Sequence, residues 1–216
     1  MCHLREVWFI RHGESEANAG LATGDPDTIR LTPAGHQQAR RVSAYLPAQP
    51  DLIVTSPYVR TKETAQPTLN RYPASQHVEW PIQEFTYLSP QRCQNTTKFD
   101  RRPMVDAYWN RSDPHHVDGE GAESFVEMLS RVNGLWRRLQ DDPSKKFMVI
   151  FTHGLFISAI QWSIYHHFAP PTAETMRLFN AFRHTLSVPN GSILKCRFDQ
   201  QNQVWLHPFF TEHLID

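Results

Sequence analysis

The chain is short of the features that define several protein classes, and each shortage excludes something. It holds only three cysteines, Cys2, Cys93 and Cys196, far apart and odd in number. That offers neither a disulfide framework nor a CxxC metal pair, and it suits a reducing compartment. Charge of one sign is not in excess either, since 22 Lys and Arg balance 22 Asp and Glu. A nucleic-acid or anionic-membrane surface requires a basic surplus, so neither partner is expected, and any anion must be held by local arginines. No apolar stretch approaches the length that spans a bilayer. The first residues, Met-Cys-His-Leu-Arg-Glu, run directly into a strand pattern without a signal-peptide core, which reads as a soluble, cytoplasmic chain. Internal repeats and low-complexity tracts are missing as well.

What is present is enough apolar material, 40% of 216 residues, for one domain over 1–216. Short β-rich runs alternate with helical patterns, so the expected fold is α/β, a three-layer sandwich with a mostly parallel central sheet and helices on both faces. Strands are expected at Glu6–Arg11, Asp51–Thr55, His77–Gln83 and Phe147–Thr152, with a terminal hairpin of Ser192–Phe198 and Gln203–His207 after a turn at Asn190 and Gly191. Thr32 and Pro33 open a helix, and Ser56 and Pro57 open another that contains Arg60 and should end or kink at Pro67. Ser124 and Glu127 form a capping box ahead of a helical apolar pattern, and Leu155 to about His167 reads as a further helix. Phe85–Glu120 lacks periodicity and is read as an insertion that covers the carboxyl edge of the sheet like a lid.

The chemistry concentrates at predicted strand ends. Arg11-His12-Gly13-Glu14-Ser15 follows the first strand, Arg60 follows the second, Glu84 ends the third, and His153-Gly154 ends FMVIFT. An Arg-His-Gly triplet alone is weak, and a strand-end histidine is more often structural. Four reactive side chains delivered to one edge, where open α/β sheets bind ligands, are harder to assign to chance.

The pieces RHGESEAN (11–18), LTPAGHQQA (31–39), SPYVRTKETA (56–65), Glu84, DGEGAESF (118–125) and THG (152–154) resemble, in order, those of the histidine phosphatase superfamily, which includes the cofactor-dependent phosphoglycerate mutases. The resemblance implies a phosphatase that hydrolyses a small phosphorylated metabolite, with His12 as nucleophile and Arg11, Arg60 and His153 around the phosphoryl group. It aligns Glu84 with the proton donor, and Ser15, Asn18, Thr23 and Gly24 with positions that contact phosphate or substrate in the mutase branch. Neutral imidazole is a good nucleophile, and guanidinium forks suit phosphoryl oxygens, so neither metal nor cofactor is expected. Gly154 would let the N-terminus of a helix approach the anion.

Other readings stay open. After Glu84 the mutase branch typically carries Arg-x-Tyr-Gly; here Phe85-Thr86-Tyr87-Leu88 keeps only the tyrosine, which favours hydrolysis over mutase-type phosphotransfer. A protein-phosphohistidine phosphatase is a further possibility, and a non-catalytic phospho-binding module would be expected to lose one of the five central residues. The doublets His115-His116 and His166-His167 are poor chelators because adjacent side chains point apart. Within 85–120, Arg92, Lys98, Arg101, Arg102 and Arg111 offer charge for a second anionic group, and Arg101 with Arg102 is the preferred pair. The oligomeric state is not legible.

Overall fold

The computed structural model describes residues 5–199, 201 and 203–215; Cys2 and the start of the N-terminal stretch lie outside them. Four parallel strands form the middle and one side of a mixed sheet: β1 (Arg5–Arg11), β2 (Leu52–Thr55), β3 (Gln76–Glu79) and β4 (Phe147–Thr152). Antiparallel β5 (Ile193–Phe198) pairs with β1, and β6 (Val204–Leu206) pairs with β5, giving the order β3-β2-β4-β1-β5-β6. The helices are α1 (Pro33–Tyr45), α2 (Val59–Arg71), α3 (Pro90–Cys93), α4 (Arg102–Arg111), α5 (Phe125–Asp141), α6 (Gly154–Tyr165) and α7 (Ala173–Thr185).

The layering follows from strand alternation. Successive side chains point to opposite faces, and a central parallel sheet covered on both sides has no polar face. Val7, Phe9, Val54, Met148 and Ile150 therefore join one core with Phe125, Met128 and Val132 of α5 and Phe156 and Ile160 of α6. Trp8, Ile10, Ile53, Val149 and Phe151 join the other, with Val42 of α1 and Ala65 of α2.

Local signals fix several helix starts. The Thr32 hydroxyl accepts from Gly35 N, and Ser124 and Glu127 make the reciprocal capping box. Gly35 also allows α1 to press on the loop after β1: a Cβ there would lie 2.0 Å from the Glu14 carbonyl oxygen. Gly191 has φ +72°, a value that suits glycine in the turn before β5.

Several expectations need correction. The cap of α2 is Tyr58, so Ser56 and Pro57 precede the helix. Pro67 lies inside α2, which continues to Arg71. There Arg71 donates to the carbonyls of Ser43, Ala44 and Leu46, so contacts with the end of α1 hold the last turn against the proline penalty. β3 stops at Glu79: Trp80 N still donates to the Thr55 carbonyl at 3.0 Å, but the chain turns there, and Ile82 N donates to the Trp80 carbonyl at 2.8 Å. The segment 85–120 contains α3 and α4, and Phe85, Leu88, Tyr108 and Trp109 are buried in the larger core. It is thus packed structure as well as cover. Helix α7, capped by Thr172, was not expected at all. No helix among the described residues is long and apolar enough to cross a membrane.

Candidate active site

β1, β2 and β4 end side by side, with Arg11 opposite Thr152 and Thr55 opposite Phe151. The next residues are therefore neighbours: His12 beyond β1, Ser56 beyond β2 and His153 beyond β4. The rings of His12 and His153 lie 5.1 Å apart, centroid to centroid. Arg60 reaches the same point from the first turn of α2.

The protonation pattern of His12 can be read from its partners. Nδ1 lies 2.7 Å from the Gly13 carbonyl oxygen, which only accepts, so Nδ1 carries the proton. Nε2 accepts from Arg60 Nε at 3.2 Å, so it carries the lone pair. The imidazole is 3% exposed, and its pKa is pushed well below the usual value by burial first, then by Arg60 and Arg11. His12 is thus a neutral base with a defined lone pair, held under positive charge. Burial also draws Arg60 down to about 10, which leaves it charged near neutral pH.

His153 is fully buried and neutral for the same reasons, with burial the leading cause. Its Nε2 lies 2.7 Å from the Ser56 hydroxyl, while its Nδ1 has no partner. The Nε atom of Arg11 is likewise buried without a partner, although NH1 donates to the Val188 carbonyl at 2.5 Å. Arg11 Nε and His153 Nδ1 thus stand at one edge of the sheet without a protein partner.

The loop after β1 adds a donor. Asn18 Oδ1 accepts from Ser15 N, from Ser15 Oγ at 3.0 Å and from Asn190 Nδ2 at 2.9 Å. With its oxygen fully engaged, Asn18 has its Nδ2 amide left for a ligand. Asn190 donates also to the His12 and Gly13 carbonyls, so the turn before β5 holds the loop that carries the histidine. In the sequence Asn190 reads only as a turn former.

A cavity of about 300 Å³ opens over this edge and is lined by Arg11, His12, Ser15, Asn18, Gly24, Arg60 and Glu84. That is the lower end of small-molecule site volumes. Its outer wall brings Phe85, Tyr87, Leu88, Lys98, Arg101 and Val105 from the 85–120 segment. Four expected residues do not line it, and one of them is His153, which is fully buried with its ring beside that of His12. Thr23 is buried under the rim, where it bridges to Thr96. Arg102 is exposed and pairs weakly with Asp106 at 3.9 Å. Gly154 instead lies behind Arg11, where a Cβ would come within 3.3 Å of Arg11 Nε.

Glu84 also departs from expectation. It lies in a stretch without regular structure, and its carboxylate sits over the start of α6, accepting from Leu155 N and Phe156 N at 3.3 Å each and from Phe85 N at 3.1 Å. The helix N-terminus that was expected to receive the substrate anion is occupied by this side chain.

A neutral histidine with its lone pair directed among arginines, on the carboxyl edge of an α/β sheet, is an arrangement suited to phosphoryl transfer. The chain belongs to the histidine phosphatase superfamily, whose branch 1 model matches residues 7–207. It is similar to an uncharacterized phosphatase, PhoE, of Bacillus subtilis, 28% identical over 179 residues, or 82% of this chain and 86% of that protein. An adenosylcobalamin/alpha-ribazole phosphatase of Salmonella typhi is 29% identical over 131 residues, which cover 58% of this chain and 63% of that one. The solved structure of a phosphoserine phosphatase with 3-phosphoglyceric acid, from Entamoeba histolytica, superposes with a TM-score of 0.72. It is 24% identical and covers 98% of this chain and 100% of that one, a likeness of fold.

Proposed function

We propose that the protein hydrolyses a small phosphomonoester in two steps through a phosphohistidine on His12. The observation that carries this reading is the acceptor state of His12 Nε2 in a cavity lined by Arg11 and Arg60. In the first step the Nε2 lone pair attacks phosphorus, the ester P–O bond breaks, and Glu84 gives its proton to the leaving oxygen. In the second, water attacks phosphorus, its proton goes to Glu84, the N–P bond breaks and phosphate leaves. Charge spreads over the phosphoryl oxygens in both transition states. Arg60, the unpaired Arg11 Nε, Asn18 Nδ2 and His153 Nδ1 are the donors for that charge, and preorganised donors of this kind supply the largest share of such catalysis. For His153 this requires the proton on Nδ1, with Nε2 then accepting from the Ser56 hydroxyl 2.7 Å away. The positive charge comes from the chain's own guanidinium groups, so we read the reaction as independent of metal.

The cavity favours a substrate with a second negative group. Arg11, Arg60, Lys98 and Arg101 face it against the single carboxylate of Glu84. A phosphomonoester carries nearly two negative charges near neutral pH, which leaves positive charge in excess whether Glu84 is ionised or holds the proton for the leaving oxygen. Lys98 and Arg101, on the outer wall, replace the pair Arg101 and Arg102 as its binding residues. The protein acts, on this reading, as one domain on a phosphorylated metabolite in the cytoplasm, where its buried thiols Cys93 and Cys196 stay reduced.

The test is phosphate release from p-nitrophenyl phosphate in excess EDTA, with rapid quench into alkali to trap labelled enzyme. Turnover and label that both vanish in His12→Ala are expected. Turnover that survives in that variant, or that EDTA abolishes, overturns the reading.

A further inference from the structure

Residues 80–89 form neither helix nor strand, so Glu84 has no hydrogen-bond ladder of its own to hold it. Its neighbours are instead gripped from α5. Arg131 NH1 donates to the Gln83 carbonyl at 2.9 Å and to the Pro81 carbonyl at 3.2 Å. The same guanidinium binds Glu123 through both Nε, at 2.9 Å, and NH2. Glu123 continues the grip beyond Glu84: its backbone N donates to the Thr86 carbonyl at 2.9 Å, and its carboxylate accepts from Thr86 N at 3.3 Å. The guanidinium also lies 4.9 Å from the Phe156 ring centre, and Phe156 N is one of the donors to the Glu84 carboxylate.

Both sides of Glu84 are therefore fixed by one ion pair whose side chains are only 14% and 18% exposed. A bidentate Arg–carboxylate pair that also bonds two backbone carbonyls is a rigid support, because a planar fork loses little freedom for each bond it makes. A proton donor must stand within hydrogen-bond reach of the leaving oxygen, and small displacements cost large factors in rate.

We infer that Arg131, with Glu123, is a positioning residue that holds Glu84 against the leaving oxygen of the substrate. The inference rests on the reading of Glu84 as the proton donor. It does not touch the phosphoryl group, so its loss should be felt only where the leaving group needs a proton. An alkoxide leaves poorly without one, whereas p-nitrophenolate leaves readily.

The experiment compares kcat/KM for glycerol phosphate and p-nitrophenyl phosphate in the wild type, Glu84→Gln, Arg131→Ala, Arg131→Lys and Glu123→Gln, with thermal melting of each. General acid catalysis contributes about 10²- to 10⁴-fold, and Glu84→Gln should lose on that scale for the alkyl ester only. Arg131→Ala is expected to lose roughly 10- to 100-fold more on the alkyl ester than on the aryl ester, with a partial return in Arg131→Lys. Should Arg131→Ala not fold, Glu123→Gln and Arg131→Lys carry the same comparison. Equal losses on both esters in the clamp variants, beside a selective loss in Glu84→Gln, overturn the positioning role alone. The absence of selectivity in Glu84→Gln itself overturns the proton-donor reading and this inference with it.

Discussion

Arg60 Nε donates to His12 Nε2 at 3.2 Å, so a guanidinium N–H occupies the line along which the histidine lone pair would attack. In the proposed mechanism the substrate phosphoryl group enters between the two, taking the donor for its oxygens and the lone pair for phosphorus. Arg60 NH1 is tied to the Pro26 carbonyl at 2.5 Å, so the fork stays anchored while it exchanges partners.

Arg60→Ala should therefore lower kcat/KM for p-nitrophenyl phosphate by about 10²- to 10³-fold, the usual scale for one lost donor to a charged transition state. Arg60→Lys should recover little, because an ammonium cannot keep the Pro26 anchor and the phosphoryl contact in the same geometry. Steady-state kinetics on both variants decides it. A fall of less than tenfold in Arg60→Ala would mean that the contact with His12 is structural only.

The two buried histidines predict an acid-sensitive stability. In the folded protein both pKa values lie well below the usual one, through burial and then neighbouring arginines. Above about pH 6.5 neither the folded nor the unfolded state protonates them, so they add no pH dependence. Below it the unfolded chain takes up protons that the folded one refuses, and stability falls as pH falls. Each histidine contributes up to about 1.4 kcal/mol per pH unit, down to its folded pKa. Urea unfolding at several values between about pH 7.5 and pH 5 should show a shallower loss in His12→Gln than in the wild type. Parallel slopes would show that His12 is protonated in the fold.

Lys98 and Arg101 should separate substrates by charge. Replacing both with alanine is expected to raise KM for a phosphorylated carboxylic acid by roughly tenfold or more, while KM for p-nitrophenyl phosphate moves little. Arg102→Ala is the control, since Arg102 faces solvent beside Asp106. Equal KM changes for the two substrates, or an equal effect of Arg102→Ala, would remove the second anionic subsite.

How legible these features were in the sequence depended on how local their causes are. His12 and His153 were legible, because an apolar run followed by a polar turn marks a strand end, and strand ends of a parallel sheet share one edge. The capping box at Ser124 and the β5–β6 hairpin were legible for the same reason: neighbours in the chain make them. Arg101 and Arg102 are adjacent in the chain but only Arg101 lines the cavity. Arg101 sits at the cap of α4 and faces the cavity, and the next position turns away, as adjacent helical positions must.

The sequence by itself determined the alternation of strands and helices and the two apolar faces of each central strand, since these rest on periodicity, and it placed His12 and His153 at strand ends. Only the tertiary structure decided where Glu84 stands, which arginine shares its cavity, and what holds them. Arg131 and Glu123 are separated from Glu84 by 47 and 39 positions, and no local pattern marks a bond to a backbone carbonyl so far away. The Asn190 amide that steadies Asn18 is 172 positions distant and looked like an ordinary turn residue. Side chains that act through packing and hydrogen bonds across the fold have no spacing of their own, so they become visible only when the chain has closed around them.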